Sequence, residues 1–190
     1  MKKPLMLLAI LLSCGIPAFA QGTVELGAGY AFRSFDQDVP PQSSRVNMNG
    51  FDVNGAFHLF PWLAVAGDIT GTYSNQGVSG DNKLYSFMAG PRVYPFGHGR
   101  ISPYVQAEFG GSHYQLQISP ANGGPFTDTE RGFAWSAGGG VDVFLTNHLG
   151  LKGQLAFEQT RFFQDPNKFP PPSPSYQKNF VLVVGPVIRF

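Results

Sequence analysis

The residues of this 190-residue chain that could do chemistry are few and scattered: four histidines, His58, His98, His113 and His148, the lone cysteine Cys14, and 12 Asp plus Glu. Metal binding by histidine and carboxylate needs ligands brought together at short, regular spacings, and the four histidines stand far apart. A nucleophile and its base must reach one another. Ser112 and His113 adjoin, but neighbouring residues of a strand point to opposite faces. His58 falls on an inward position, and His98 and His148 fall in turns. No catalytic residue, metal site or cofactor is assigned. A pattern does appear among ten charged residues, Glu25, Arg33, Asp52, Asp68, Arg92, Glu108, Asp142, Lys152, Glu158 and Arg189, which share one parity of segments whose alternate positions are apolar. Six acids mixed with four bases on one face can neutralise one another, and pairing is the chemistry expected of them.

The elements that would carry this parity are strands. In the last stretch Phe180, Leu182, Val184, Pro186, Ile188 and Phe190 form one wholly apolar face, while Asn179, Val181, Val183, Gly185, Val187 and Arg189 form a mixed one. Earlier segments repeat the pattern. Residues 23–34 set Val24, Leu26, Ala28, Tyr30 and Phe32 against Glu25, Gly27, Gly29, Ala31 and Arg33. The second strand sets Phe51, Val53 and Phe57 against Asp52, Asn54 and His58, and turns at Phe60, Pro61 and Trp62. Strands follow at 63–73, 85–94, 103–112, 133–143 and 151–158, before the last at 179–190. Polar loops are expected at 35–46, 74–83, 115–131 and 163–178, the last too rich in proline to join a ladder. Short turns alternate with them.

Residues 1–20 read as a secretory leader: Lys2 and Lys3, an apolar run from Leu5 to Leu12, and the small-x-small site Ala18, Phe19, Ala20. The apolar run is short for a spanning helix. Leu12 is bulky where lipoprotein processing favours a small residue, so cleavage is expected after Ala20 and not at Cys14. Losing Lys2 and Lys3 changes the net charge from +1 to −1 and leaves no cysteine. Neither a field for nucleic acid nor a disulfide framework is implied. Residues 21–190 are expected to form one all-β domain.

Eight amphipathic strands must avoid two open edges, and closure removes them. A soluble barrel would place its apolar face inside. Here that would leave the charged face on the wall's exterior and an uncharged core, whereas the charged set is also glycine-rich and able to pair within a narrow lumen. The arrangement expected is an eight-stranded antiparallel up-and-down transmembrane β-barrel, apolar face to lipid, charges in the lumen. Four long loops lie at one end, three short turns and both termini at the other. Aromatics gather at the two expected interfaces: Phe32, Phe51, Tyr73, Tyr85, Phe133, Trp135 and Phe180 near the loops, Phe60, Trp62, Phe96 and Phe190 near the turns. A faint internal echo links Gly90, Pro91 to Gly185, Pro186.

The ending, with Gly185, Ile188 and terminal Phe190, resembles the terminal signal of bacterial outer-membrane barrels. Signal, strand number and loop alternation together resemble the small stand-alone barrels of the OmpA/OmpX type. That resemblance implies an outer-membrane location, contact with the lipid bilayer, recognition of Gly185, Ile188 and Phe190 by the barrel assembly machinery, and a structural or surface-interaction role through the four loops, with a surface ligand as partner. A lipid A deacylase-like enzyme is the competing class, but none of the four histidines begins the His-x-Ser-Asn segment such enzymes typically carry. A small-solute pore and a soluble lipocalin-like binder are further alternatives. The first is opposed by the filled interior of so small a barrel, the second by the charged inward face.

Overall fold

The computed structural model describes residues 23–36, 45–74, 81–97, 99–118, 126–163 and 176–190. The expected leader, Cys14, His98 and the central parts of the four polar loops lie outside the described residues. Eight strands make up nearly all of the rest: β1 (Val24–Asp36), β2 (Arg45–Phe60), β3 (Leu63–Ser74), β4 (Asp81–Val93), β5 (Ile101–Ile118), β6 (Phe126–Phe144), β7 (Leu149–Phe163) and β8 (Tyr176–Arg189). Each pairs antiparallel with the next, and β1 pairs with β8, so the sheet closes. Main-chain bonds between Val24 and Phe190 (Phe190 N donating to Val24 O, 2.9 Å) finish the seam.

The alternation read from the sequence holds on every strand. Glu25, Asp52, Asp68, Arg92, Glu108, Asp142, Lys152 and Glu158 are buried in the lumen, while Leu26, Val105 and Leu155 on the other face are more than half exposed. A continuous exterior of Leu, Val, Ile and Phe is far more apolar surface than a protein in water presents, and it suits a barrel whose wall meets lipid.

Following the register from Val24 through β2 to β8 returns to β1 at Ser34, ten residues further on. This stagger tilts the strands and, with eight of them, leaves an interior that side chains can fill.

The strands outrun the sequence expectation at the loop end. Phe35 and Asp36 belong to β1, Arg45 and Val46 to β2, Ser74 to β3, and 81–83 to β4. β5 continues through 115–118, β6 begins at Phe126, β7 ends at Phe163 and β8 begins at Tyr176. The loop ranges 35–46, 74–83, 115–131 and 163–178 are correspondingly narrower. The physical reason is that an apolar outer face marks a strand only where it meets lipid. Above that level both faces can be polar while the backbone ladder continues.

The Gly-Pro echo has a structural counterpart. The β4–β5 ladder pairs Ala89 with Phe109 and resumes at Arg92 with Gln106; the β8–β1 ladder breaks in the same way between Val184 and Val187. Pro91 and Pro186 supply no N–H at these gaps. A Cβ on Gly90 would lie 2.0 Å from the Ala107 carbonyl oxygen, and one on Gly185 2.1 Å from that of Ala28. Both glycines admit a close approach of neighbouring backbones that any side chain would block.

Candidate functional site

The parity that sends the apolar side chains outward sends every predicted lumen charge toward one axis, and there they meet partners from distant strands. At the turn end Arg189 contacts Glu25 at 2.9 Å, and its guanidinium lies 3.5 Å from the Phe144 ring centre. Tyr94 Oη donates to Glu25 at 3.0 Å, and His58 Nε2 lies 3.5 Å from the same carboxylate. This layer lies at the mouth near the termini, with Arg189 partly exposed.

Above it, Arg92 stands 3.7 Å from Asp68, donates through Nε to Gln106 Oε1 at 2.8 Å, and covers the Tyr104 ring at 4.4 Å. Gln106 and Gln154 each donate an amide N–H to Asp68, at 3.1 and 3.0 Å. Lys152 lies 3.9 Å from Asp142 and donates to Asn54 Oδ1 at 2.8 Å. Asn54 in turn donates to Asp52, which also accepts from Thr70 at 2.8 Å. Glu108 accepts from Ser136 at 3.3 Å. Nearer the loop end Arg33 and Glu158 meet at 2.6 Å, with Ser86 accepting from Arg33 and donating to Glu158.

The four bases thus face four different acids, and Asp52 and Glu108 are held by neutral donors. Long side chains with partners from across the barrel fill the space that a pore would need. Arg33 and Arg92 are fully buried, and Glu158 is nearly so.

A further layer went unread in the sequence. Phe35, Met48 and Leu84 pack together inside the loop end with Val46 and Tyr114, and Phe35 stacks on Tyr114 with ring centres 5.5 Å apart. Tyr114 Oη donates to Asn82 at 2.6 Å. Phe35, Leu84 and Tyr114 fall on the inward parity of Arg33, Ser86 and Ser112, so continuing the alternation beyond the apolar exterior would have found them.

The predicted interface aromatics lie on the exterior. Phe157 joins Trp135 and Phe180, with ring centres 5.8 and 5.6 Å away. Tyr73 sits between Phe51 (6.5 Å) and Tyr85 (5.8 Å), and Tyr85 Oη donates to Tyr73 Oη at 3.1 Å. Phe133 is exposed two residues from Trp135 on the same face of β6, and Phe32 is partly covered. At the turn end Trp62 stacks on Phe60 at 5.9 Å. Gly185 faces inward at the ladder gap, whereas Ile188 and Phe190 point outward. Ser112 is buried and its neighbour His113 lies on the opposite face of the wall. Among the described residues no cluster of three His, Cys, Asp or Glu is placed to hold a metal ion.

The family described as outer membrane protein beta-barrel domain matches residues 6–184. Among solved structures, Ail of Yersinia pestis is 17% identical, with a TM-score of 0.62 over 89% of this chain and 99% of Ail. Neisserial surface protein A is 17% identical, with a TM-score of 0.58 over 89% and 97% of the two chains. The outer membrane protein OprG of Pseudomonas aeruginosa is 13% identical, with a TM-score of 0.55 over 89% and 96%. No curated protein matches the chain.

Proposed function

The chain belongs to the outer-membrane protein β-barrel family, and from that premise we propose that it is a closed scaffold whose work is done at its external end, through the strand ends and connections it holds above the bilayer. The observation that carries this reading is the filled lumen. From Arg189 and Glu25 to Phe35 and Met48, successive layers of buried side chains occupy the axis. A wall that meets lipid and an interior that is full leave the external surface as the place where specificity can reside.

An enzymatic reading finds little support, because Ser112 and His113 lie on opposite faces of β5. The test has two arms. Replacing 37–44, 75–80, 119–125 and 164–175 by short Gly/Ser turns should abolish adherence of expressing cells to host-matrix or abiotic surfaces while leaving the heat-modifiable gel shift of a folded barrel intact. Lipid A from cells carrying the parent or His113→Ala should have the same acyl composition by mass spectrometry. Adherence that survives loop shortening would place the role in the barrel wall, and an acyl change dependent on His113 would restore the enzyme.

Biogenesis belongs to the same reading. Gly185, Ile188 and Phe190 are proposed as the residues through which the assembly machinery engages β8. Phe190→Ala forfeits about 1–3 kcal/mol of apolar burial at most. Its expected signature is a larger loss of inserted protein in cells than of stability after refolding in detergent. Normal insertion with a weakened refolded barrel would leave Phe190 as an interfacial anchor alone.

A further inference from the structure

The three short connections at the turn end differ in length, and the difference leaves a recess. Pro61 and Trp62 alone join β2 to β3, whereas residues 94–100 join β4 to β5 and residues 145–148 join β6 to β7. The two longer turns flank the start of β5 and the end of β6. Between them lies a recess of about 430 Å³ whose walls include Gly99, Arg100, Phe144, Leu145, Asn147 and Arg189. Those walls are tied in place. Phe144 N donates to Arg100 O at 2.8 Å, and Arg189 N donates to His148 O at 2.7 Å. Ser102 Oγ accepts from Gly99 N and donates to Gly99 O, each at 3.1 Å, while Thr146 Oγ1 accepts from Leu149 N at 2.9 Å. A recess built this way loses little freedom when it is filled.

Phe144 and Arg189 are on the inward parity, so the recess belongs to the mouth of the lumen and not to the lipid-facing wall. Its charge is basic. Arg100 is exposed, and its guanidinium has no partner among the described residues. Arg189 turns Nε and Nη2 to Glu25, each at 2.9 Å, and lies over the Phe144 ring, which leaves Nη1 without a partner among the described residues. The acids nearby are already engaged. Glu25 is buried behind Arg189 and also meets Tyr94 and His58, and buried Asp142 faces Lys152. A terminal oxygen of Phe190 accepts from Val24 N at the seam. Two guanidinium groups against the one carboxylate of Glu25 leave a single positive charge in surplus.

That surplus and the size of the recess define what fits. A recess of about 430 Å³ is far larger than a lone ion needs and falls within the range of small-molecule sites. One positive charge matches a monoanion, whereas the second charge of a phosphate ester would face Glu25 with nothing left to neutralise it. Guanidinium forks suit a planar carboxylate. Asn147 stands exposed at the rim, where its amide can meet a neighbouring peptide group, and Leu145, 58% exposed, offers an apolar wall. A carboxylate, an amide and an apolar side chain in succession describe the end of a peptide chain. We propose that the recess between the β4–β5 and β6–β7 turns binds the C-terminal carboxylate of a peptide, held by Arg100 and the free edge of Arg189, with the last amide at Asn147 and the last side chain against Leu145. Short turns of such barrels face the periplasm, so the peptide comes from that compartment. The site is independent of what the external end binds.

The test uses the full mature chain in phosphatidylcholine nanodiscs, titrated calorimetrically with the N-acetylated tripeptide alanyl-alanyl-leucine as the free acid or as the C-terminal amide. The parent should bind the acid at least about tenfold more tightly than the amide, an advantage that falls as salt rises. Arg100→Gln should lose about tenfold in affinity for the acid and keep its heat-modifiable mobility, because no partner among the described residues depends on that side chain. Arg131→Gln, at the loop end, should bind as the parent does. Inorganic phosphate at the same concentration should displace little of the peptide, since it fills only the anionic part of the recess. Equal binding of acid and amide, affinity unchanged by Arg100→Gln, or displacement by phosphate as effective as by unlabelled acid peptide would each overturn the proposal. An equal loss from Arg131→Gln and Arg100→Gln would move the binding away from the turn end and overturn it as well.

Discussion

At the scale of single residues, the wall divides two solvents, and a substitution should be judged by the one its side chain enters. Arg33 and Glu158 meet at 2.6 Å and are both buried. Arg33→Met strands a carboxylate that, among the described residues, is then addressed by the hydroxyls of Ser86 and Thr160, and a buried charge deprived of its partner costs about 3–5 kcal/mol. The double variant Arg33→Met, Glu158→Leu removes both charges and should recover most of that loss. Urea unfolding in lipid vesicles, followed by gel mobility, measures each. A double variant as unstable as the single one would mean that the pair's packing, and not its charge, is what matters. Leu155 faces the other medium and is 57% exposed. Leu155→Arg should cost about 2–4 kcal/mol if it lies near the bilayer midplane. The same substitution at Lys178, already basic and at the rim, should change stability by much less.

At the scale of strands, the two Gly-Pro gaps make a paired prediction. Gly90→Ala and Gly185→Ala drive a methyl group to 2.0 and 2.1 Å, respectively, from a neighbouring carbonyl oxygen, far inside van der Waals contact, so each should destabilise the barrel by about 1–3 kcal/mol as backbones part. A Cβ at Gly153 meets nothing within 4 Å. Gly153→Ala should therefore be neutral or slightly stabilising, and equal losses at all three positions would show that the close approach is unimportant. Sequence could point to these sites only as a repeated dipeptide, because the carbonyls of Ala28 and Ala107 belong to other strands and their approach depends on register. Parity was legible because a period of two places one face of each strand in lipid, and the ten charged residues named from it share the inner parity. Which acid faces which base was not, since Arg33 and Glu158 are joined by the closure of the whole barrel. Strand ends were missed for a local reason: Phe35 continues the inward parity, but the outward residue before it, Ser34, is polar and no longer marks a lipid-facing strand.

At the scale of the molecule, the question is whether a barrel of eight strands and this stagger conducts. Its cross-section is fixed by strand number and register, so passage depends on what the inward side chains leave open. They leave little. The Arg189–Glu25 contact and the His58, Tyr94 and Tyr104 rings occupy the end near the termini. Arg92, Asp68, Gln106 and Gln154 are cross-linked in the middle, and Phe35, Met48, Leu84 and Tyr114 lie beyond Arg33 and Glu158. An ion would have to separate each of these layers in turn, and parting a buried ion pair is costly. Reconstituted in a planar bilayer, the protein should show no large steady conductance, only rare brief openings. Shortening one layer should not change this, because the remaining layers still block the axis. Arg33→Ser combined with Phe35→Ser, Arg92→Ser and Arg189→Ser thins every layer and should give measurable steady current if the barrel still closes, as judged by its gel mobility. Large steady steps from the parent protein would mean that the lumen rearranges in the membrane, and the closed-scaffold reading would fall with it.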